Sequence, residues 1–555
     1  MKIKKSLLLA LSLAILMTTA CTYKSAPTTE SKTNPPVKAT EDAQKEEQTL
    51  NLAAGQEITT LNSLGLIDNP TIAIQNNLFE GLYRLDKTSK PIPGMAESYE
   101  VSEDGKVYTF HLRDAKWSNG TPVTAKDFDY AWRKALDPAN LSPYASFFDD
   151  IVNGLDIHNK KKGIEELGVK AIDDHTFQVA LSKNVPYFLD LITAPVFLPQ
   201  NKAYVEGQGK DYGQEANKAI YNGPFVLDSW KHEEGYVLKK NPDYWNAQTV
   251  KLETINFKIV KDNSTRMNLY EAGQLDMTGL TSEYTEQYKG SPEYVAYPDP
   301  GMRFLRMSQK NKYLKNINIR KALTMGWNRQ DMTDVILNNG STPANYLVPK
   351  SFVMGPDGKD FRAKHEEGFN TGGIDEAKKY WEQGLKELGE TSIKLELLNY
   401  EGDVSKTIGQ YLKNQWEKNL PGLTVTINQQ PQKQKLALEK KADYDVSSSG
   451  WGPDYPDPMT FLENFTSNSP YNESEYKSAK YDQLIDDVRN ATDPAVRWTT
   501  MQEAERVLLE EDAAIIPMYQ EAIARLSKPY VKDYVTHPFG VYSSYKWTYI
   551  EGKKK

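Results

Sequence analysis

From Thr49 to the C-terminus, short runs in which apolar and polar residues alternate give way repeatedly to stretches with helical spacing. Leu50 and Leu52 alternate with polar neighbours; Tyr108, Phe110 and Leu112 do so after an Asp104-Gly105 turn, and Phe177, Val179 and Leu181 repeat the pattern. A period of two predicts half-buried strands. Thr124 is placed to cap a helix with Asp127 at its third position, after which Phe128, Ala131, Trp132 and Ala135 share one face. Ile319, Ala322, Leu323, Gly326 and Trp327 have the same spacing. Core packing accounts for all of these positions.

Between Ile393 and Ser448 the order is strand (Ile393, Leu395, Leu397), helix (Val404, Ile408, Leu412, Trp416), strand (Leu423, Val425, Ile427), helix (Leu436 to Lys441) and strand (Tyr444 to Ser448). Such alternation predicts an α/β fold with right-handed crossovers and a largely parallel sheet. Ligands of such sheets bind beyond the carboxyl ends of the strands. Asp454 falls just past one of these ends, in the segment Gly450-Trp451-Gly452-Pro453-Asp454-Tyr455. A lone carboxylate there can hold a cation, or it can be a turn residue among Pro453, Pro456 and Pro458.

The first 48 residues differ from the rest. Lys2, Lys4 and Lys5 precede an apolar run from Leu7 to Met17, broken by Ser12, and small residues lead to Cys21. Residues 1–20 read as a signal peptide, since a membrane span needs about 20 apolar residues and this run is shorter. Residues 21–48 are rich in Ser, Thr, Pro, Lys and Glu, with too few apolar side chains to fold, and read as a tether. Beyond it no other apolar run approaches the length of a span.

At 555 residues the chain exceeds one core, and its 11% aromatic content, with 33 Tyr and 10 Trp, belongs to a well-packed soluble body. A net charge of −8 argues against nucleic acid as a partner, because phosphate binding needs a basic footprint. With one cysteine, Cys21, neither an intrachain disulfide nor a cysteine-ligated zinc site can form.

No catalytic motif emerges. His232-Glu233-Glu234 and His365-Glu366-Glu367 begin like a zinc-protease helix, but Tyr236 and Phe369 stand where the second histidine belongs. Gly207-Gln208-Gly209-Lys210-Asp211-Tyr212-Gly213 has the wrong spacing for a dinucleotide loop, and no nucleophile elbow or P-loop is present. The chain is therefore expected not to be an enzyme, and to use no metal or cofactor.

Met95 to Arg113, followed by Trp117 to Phe128, closely resembles the signature of the family 5 extracellular solute-binding proteins. Leu78 to Leu82, Asn222 to Phe225, Lys240 to Trp245, Asn318 to Leu323 and the Gly450 to Asp454 segment match it in order, over nearly all of residues 49–545. Within that family the chain looks most like the oligopeptide-binding lipoproteins of Gram-positive bacteria.

The resemblance implies a two-lobed periplasmic-binding-protein-like α/β fold of the large cluster, with an extra domain inserted in the first lobe. By similarity the first lobe takes residues 49–79, 198–303 and 528–555, the inserted domain 80–197 and the second lobe 304–527. Hinges then fall near Pro298 to Met307 and Ala522 to Ser527. It also implies that Asp454 meets the α-ammonium of a bound oligopeptide, that the backbone at Gly450 and Trp451 pairs with the peptide main chain, and that Asp68 and Asn69 face them from the other lobe. Cys21 would carry a lipid, although Thr18 departs from the aliphatic residue usual three positions earlier; an ordinary secretory signal is the alternative. The implied protein is a monomer on the outer face of the cell membrane that serves the permease subunits of an ABC transporter. Alternatives are another solute on the same fold (dipeptide, sugar, nickel or haem), a peptide-pheromone receptor and, more remotely, a secreted hydrolase.

Overall fold

Two long strands, Tyr294–Met307 and Ile515–Ser527, lie side by side and antiparallel through the middle of the molecule. The computed structural model describes residues 47–553 apart from 66, 67, 141 and 143. The expected signal peptide, Cys21 and nearly all of the expected tether therefore lie outside the described residues.

Tyr294 to Pro298 pair with Leu526 to Ala522; the register then breaks across Asp299 to Gly301 and resumes at Met302 opposite Gln520. On one side Met277–Gly279 pairs with Arg525 to Ser527. On the other, Val446–Trp451 pairs antiparallel with Met302 to Met307. Ile393–Tyr400 and then Leu423–Gln430 follow, both parallel to Val446–Trp451, and Thr342–Pro343 brings the sheet to seven strands.

The parallel sheet expected for Ile393 to Ser448 is thus confined to three strands, and the rest of that sheet is antiparallel. Its long strands are not part of a strand-helix-strand repeat; they carry the chain between the lobes in opposite directions, which makes them antiparallel neighbours.

A second sheet opens with Thr49–Ala54, parallel to Thr254–Ile259, and continues antiparallel through Gly235–Lys240 to Phe225–Lys231. The third, entirely antiparallel sheet comprises Ala96–Val101, Val107–Leu112, Thr176–Ala180 and Val169–Ala171. Because it falls in sequence between the first and later strands of the second sheet, it belongs to a domain inserted in the first lobe. The whole is a two-lobed α/β fold with an insertion.

Local chemistry accounts for the helices. In Ala125–Leu136 the Asp127 carboxylate accepts the Thr124 N–H at 2.8 Å, closing one half of the predicted capping box. Trp132, on its apolar face, meets Phe177 of the third sheet edge-on with ring centroids 5.1 Å apart. In the second lobe, helix Ile317–Met325 ends before Gly326, and the Trp416 indole of helix Asp403–Asn419 donates to the Leu323 carbonyl at 2.9 Å. The Gln48 carbonyl, at the end of the tether, accepts the Glu253 N–H at 2.9 Å, and its side-chain amide donates to the Ile550 carbonyl at 2.9 Å. Gln48, expected to end the tether, is therefore held by the folded body.

Candidate functional site

Strand Val446–Trp451 has two different edges. Along one it pairs with Met302 to Met307 over its full length. Along the other, only Val446 and Ser447 pair, with Leu397 and Leu398. Past those residues the parallel neighbour goes on to Tyr400, pairing only with Gln429 and Gln430 on its far side. Ser448 to Trp451 thus present an edge with no ladder partner among the described residues, and backbone groups on such an edge are a template for an added strand.

Gly450 lies opposite Arg303 on the paired edge. A Cβ at Gly450 would stand 2.7 Å from Arg303 Cδ and 2.9 Å from the Met302 carbonyl oxygen, closer than such atoms pack. Arg303 in turn donates through Nε to Glu521 Oε1 at 2.9 Å. Glycine is therefore required here by a side chain crossing the ladder. Trp451 meets Tyr471 edge-on at 5.0 Å, while its buried indole N–H has no hydrogen-bond partner among the described residues.

The loop that follows is pinned by a different aspartate from the one singled out by sequence. Asp457 receives both terminal nitrogens of Arg497, at 2.6 and 3.0 Å, and accepts the Met459 N–H at 3.0 Å. Asp454 donates its backbone N–H to Thr460 Oγ1 at 3.0 Å, but no donor among the described residues reaches its carboxylate. Half-buried and unpaired, that carboxyl is pushed up to about 7, first by burial and then by the neighbouring Glu463. A turn aspartate would spend its oxygens on nearby backbone N–H groups. Asp457 does this; Asp454 does not.

Asp454 and Pro453 form one wall of a recess whose other walls come from the rest of the molecule: Ile72 of helix Asn69–Leu78, Tyr144 and Phe147, Ala194 to Val196, and Gly540 with Tyr542. The space between them is small, about 60 Å³, and opens to solvent. On the boundaries expected from the sequence, these segments fall in both lobes and the inserted domain.

Asp68 is engaged elsewhere: its Oδ1 accepts the Thr71 N–H at 2.9 Å, capping the helix that begins at Asn69. Of that helix it is Ile72, one turn further on, that lines the recess. The structure thus gathers Gly450, Trp451 and Asp454 on one strand and loop, with the Asp68–Asn69 helix start on the opposite wall's element.

Several residues of this region carry no sequence signal. Tyr144, Phe147, Val196 and Tyr542 come from distant parts of the chain and belong to no motif. Tyr455 could have been found, as it follows Asp454 directly: its ring stacks on Tyr187, and its hydroxyl donates to Glu463 Oε1 at 2.5 Å. Among the described residues no cluster of three or more His, Cys, Asp or Glu side chains could hold a metal ion, and no helix is long and apolar enough to cross a membrane.

Known proteins share this architecture. The substrate-binding domain of an oligopeptide ABC transporter from Bacillus anthracis is 45% identical, superposes with a TM-score of 0.79, and is matched over 91% of this chain and 99% of its own. Listeria monocytogenes OppA bound to peptide is 39% identical with a TM-score of 0.79, over 91% of this chain and all of its own. The Bacillus subtilis dipeptide-binding protein DppE is 34% identical over 85% of this chain and 86% of its own. A family model for bacterial extracellular solute-binding proteins, family 5, matches residues 90–473, and with these relatives it establishes that the chain belongs to that family.

Proposed function

We propose that this protein is a receptor that captures oligopeptides outside the cell and delivers them to an ABC transporter, holding each peptide by its backbone and its α-ammonium. The observation that carries this reading is the unpaired, half-buried Asp454 carboxylate beside an open strand edge, in a recess to which both lobes contribute. Main-chain pairing along Ser448 to Trp451 would give affinity for any peptide, and Asp454 would fix its direction. The names of the relatives agree: they bind dipeptides or oligopeptides, and one is the binding domain of an ABC transporter.

The hinge would lie at the register break of Asp299 to Gly301, where a change in φ and ψ swings one half of each long strand against the other. Asp68 and Asn69 would position the facing helix, with Ile72 rather than the Asp68 carboxylate closest to the guest. A lipid on Cys21 would hold the body at the outer face of the membrane, near the permease subunits. The chain acts as a carrier and leaves its cargo intact.

Incubating purified protein with a mixed peptide pool, removing unbound material and identifying what co-purifies tests the reading. Intact peptides are expected. Recovery of a different solute, or of shortened products, would overturn it.

A further inference from the structure

The recess beside Asp454 is chemically one-sided. Apart from the Asp454 carboxylate, the only side-chain polar groups in its lining among the described residues are the hydroxyls of Tyr144 and Tyr542. Ile72, Phe147, Ala194, Pro195 and Val196 have hydrocarbon side chains. This wall is assembled from three separate stretches of chain, so its apolar character is not the by-product of one buried element.

In a peptide the ammonium nitrogen and Cβ are bonded to the same carbon. An ammonium paired with the Asp454 carboxylate therefore brings the first side chain to within a few ångströms of the surfaces that surround that carboxylate. Resting on the peptide-binding reading, we infer that the recess receives the first side chain of the guest, and that the preferred ligands are peptides beginning with an aromatic or branched aliphatic residue.

Burying a Leu- or Phe-sized side chain gives about a tenfold to hundredfold advantage over glycine at the same position. An acidic first residue meets the opposite conditions. Its carboxylate would be buried among mainly apolar side chains close to Asp454 and Glu463. Selection would thus operate at the first residue while the strand edge stays indifferent to the rest.

The test is calorimetric titration of the full-length protein with one tetrapeptide varied at its first residue through Gly, Leu, Phe, Lys and Asp. Leu- and Phe-first peptides should bind about tenfold or more tighter than Gly-first, and Asp-first weakest. The variants Val196→Thr, which keeps volume but adds a hydroxyl, and Ala194→Leu, which fills space, should each reduce the Phe-to-Gly ratio. Thermal melts of both variants report whether the fold is intact, and the Gly-first arm serves as an internal control if either is weakened.

If all first residues bind within twofold of one another, the inference fails while peptide binding stands. It fails equally if N-acetylated peptides with an internal lysine bind as tightly as free Leu-first ones, because the recess would then hold a side-chain ammonium. Absence of binding to every peptide would overturn the functional reading itself.

Discussion

Tyr187 and Tyr455 stack face to face, with ring centroids 4.3 Å apart and planes only 6° from parallel. Tyr187 belongs to the segment expected to form the inserted domain and Tyr455 to the loop that carries Asp454, so the stack bridges the inserted domain and the second lobe. On the proposed hinge at Asp299 to Gly301, swinging the lobes apart would separate the two rings. The pair would then be a contact of the closed arrangement that needs no ligand atom.

An aromatic pair contributes about 0.5–1.5 kcal/mol beyond its area. Tyr455→Leu and Tyr187→Leu should each weaken peptide affinity about two- to tenfold, chiefly by faster dissociation, because closure is favoured by everything that differs between the two states. The double variant should be little worse than either single one. Stopped-flow dissociation measures this, and fully additive effects would show that the rings act separately.

Titration of Asp454 gives a second expectation. Burial pushes its carboxyl up to about 7 in the ligand-free protein, and only the charged form attracts an ammonium. Peptide affinity should be flat above pH 8 and fall below pH 7, approaching tenfold per unit, until the lowered value in the complex is passed. Repeating the titration with the Asp454→Asn variant isolates this group from Glu463, whose carboxyl is also raised by burial.

The sign is opposite for stability. A carboxyl raised in the folded state contributes stability that is complete below its ordinary value and is lost as pH rises through about 7. Ligand-free Asp454→Asn should thus melt higher than the parent at pH 8 and close to it near pH 4. At about 1.4 kcal/mol per unit the gain is on the order of a few kcal/mol, reduced by solvent screening because the group is only half-buried. Equal melting temperatures at pH 8 would mean the carboxylate is better solvated than its surroundings imply.

Periodicity revealed the elements of this fold because each buries one face locally, as Phe128 and Trp132 or Leu395 and Leu397 do. It could not reveal the antiparallel character of the sheet through 294–307 and 515–527, since strands so far apart in sequence have no local pattern specifying their partner. Asp454 was legible through its motif, and its distinction from Asp457 only through Arg497, which lies forty residues on. The recess was illegible for the same reason as the Tyr187–Tyr455 stack: apolar residues from distant segments look like ordinary core until the chain is folded.

Arg303 and Gly450 support a further prediction. A Cβ at residue 450 would collide with Arg303 Cδ, so Gly450→Ala should destabilise the protein by about 1–3 kcal/mol. Combined with Arg303→Ala, the same substitution should cost less, since the obstructing side chain is then gone and only the Met302 carbonyl oxygen, 2.9 Å from the added Cβ, still has to give way. The backbone edge from Ser448 to Trp451 survives in the double variant, so its peptide affinity should recover along with its stability. Denaturant melts and calorimetry on the four proteins of the cycle decide this; a loss of affinity that persists after stability returns would assign Gly450 a direct role in closing on the guest.

The sharpest expectation concerns the leading end of the guest. Removing one member of a buried ion pair costs about 3–5 kcal/mol, so Asp454→Asn should weaken free peptides by hundreds- to thousands-fold. N-acetylation of the peptide deletes the other member. Against acetylated peptides the parent should already be weak, and the variant should differ from it little, since an amide facing an amide leaves no charge unpaired. The interaction term of this cycle, measured on one peptide with and without the acetyl group, isolates the ammonium-carboxylate contact from every other effect of the substitution. A term near zero would mean that Asp454 does not meet the ammonium, and would leave its unpaired carboxylate to be explained by a cation from elsewhere in the ligand.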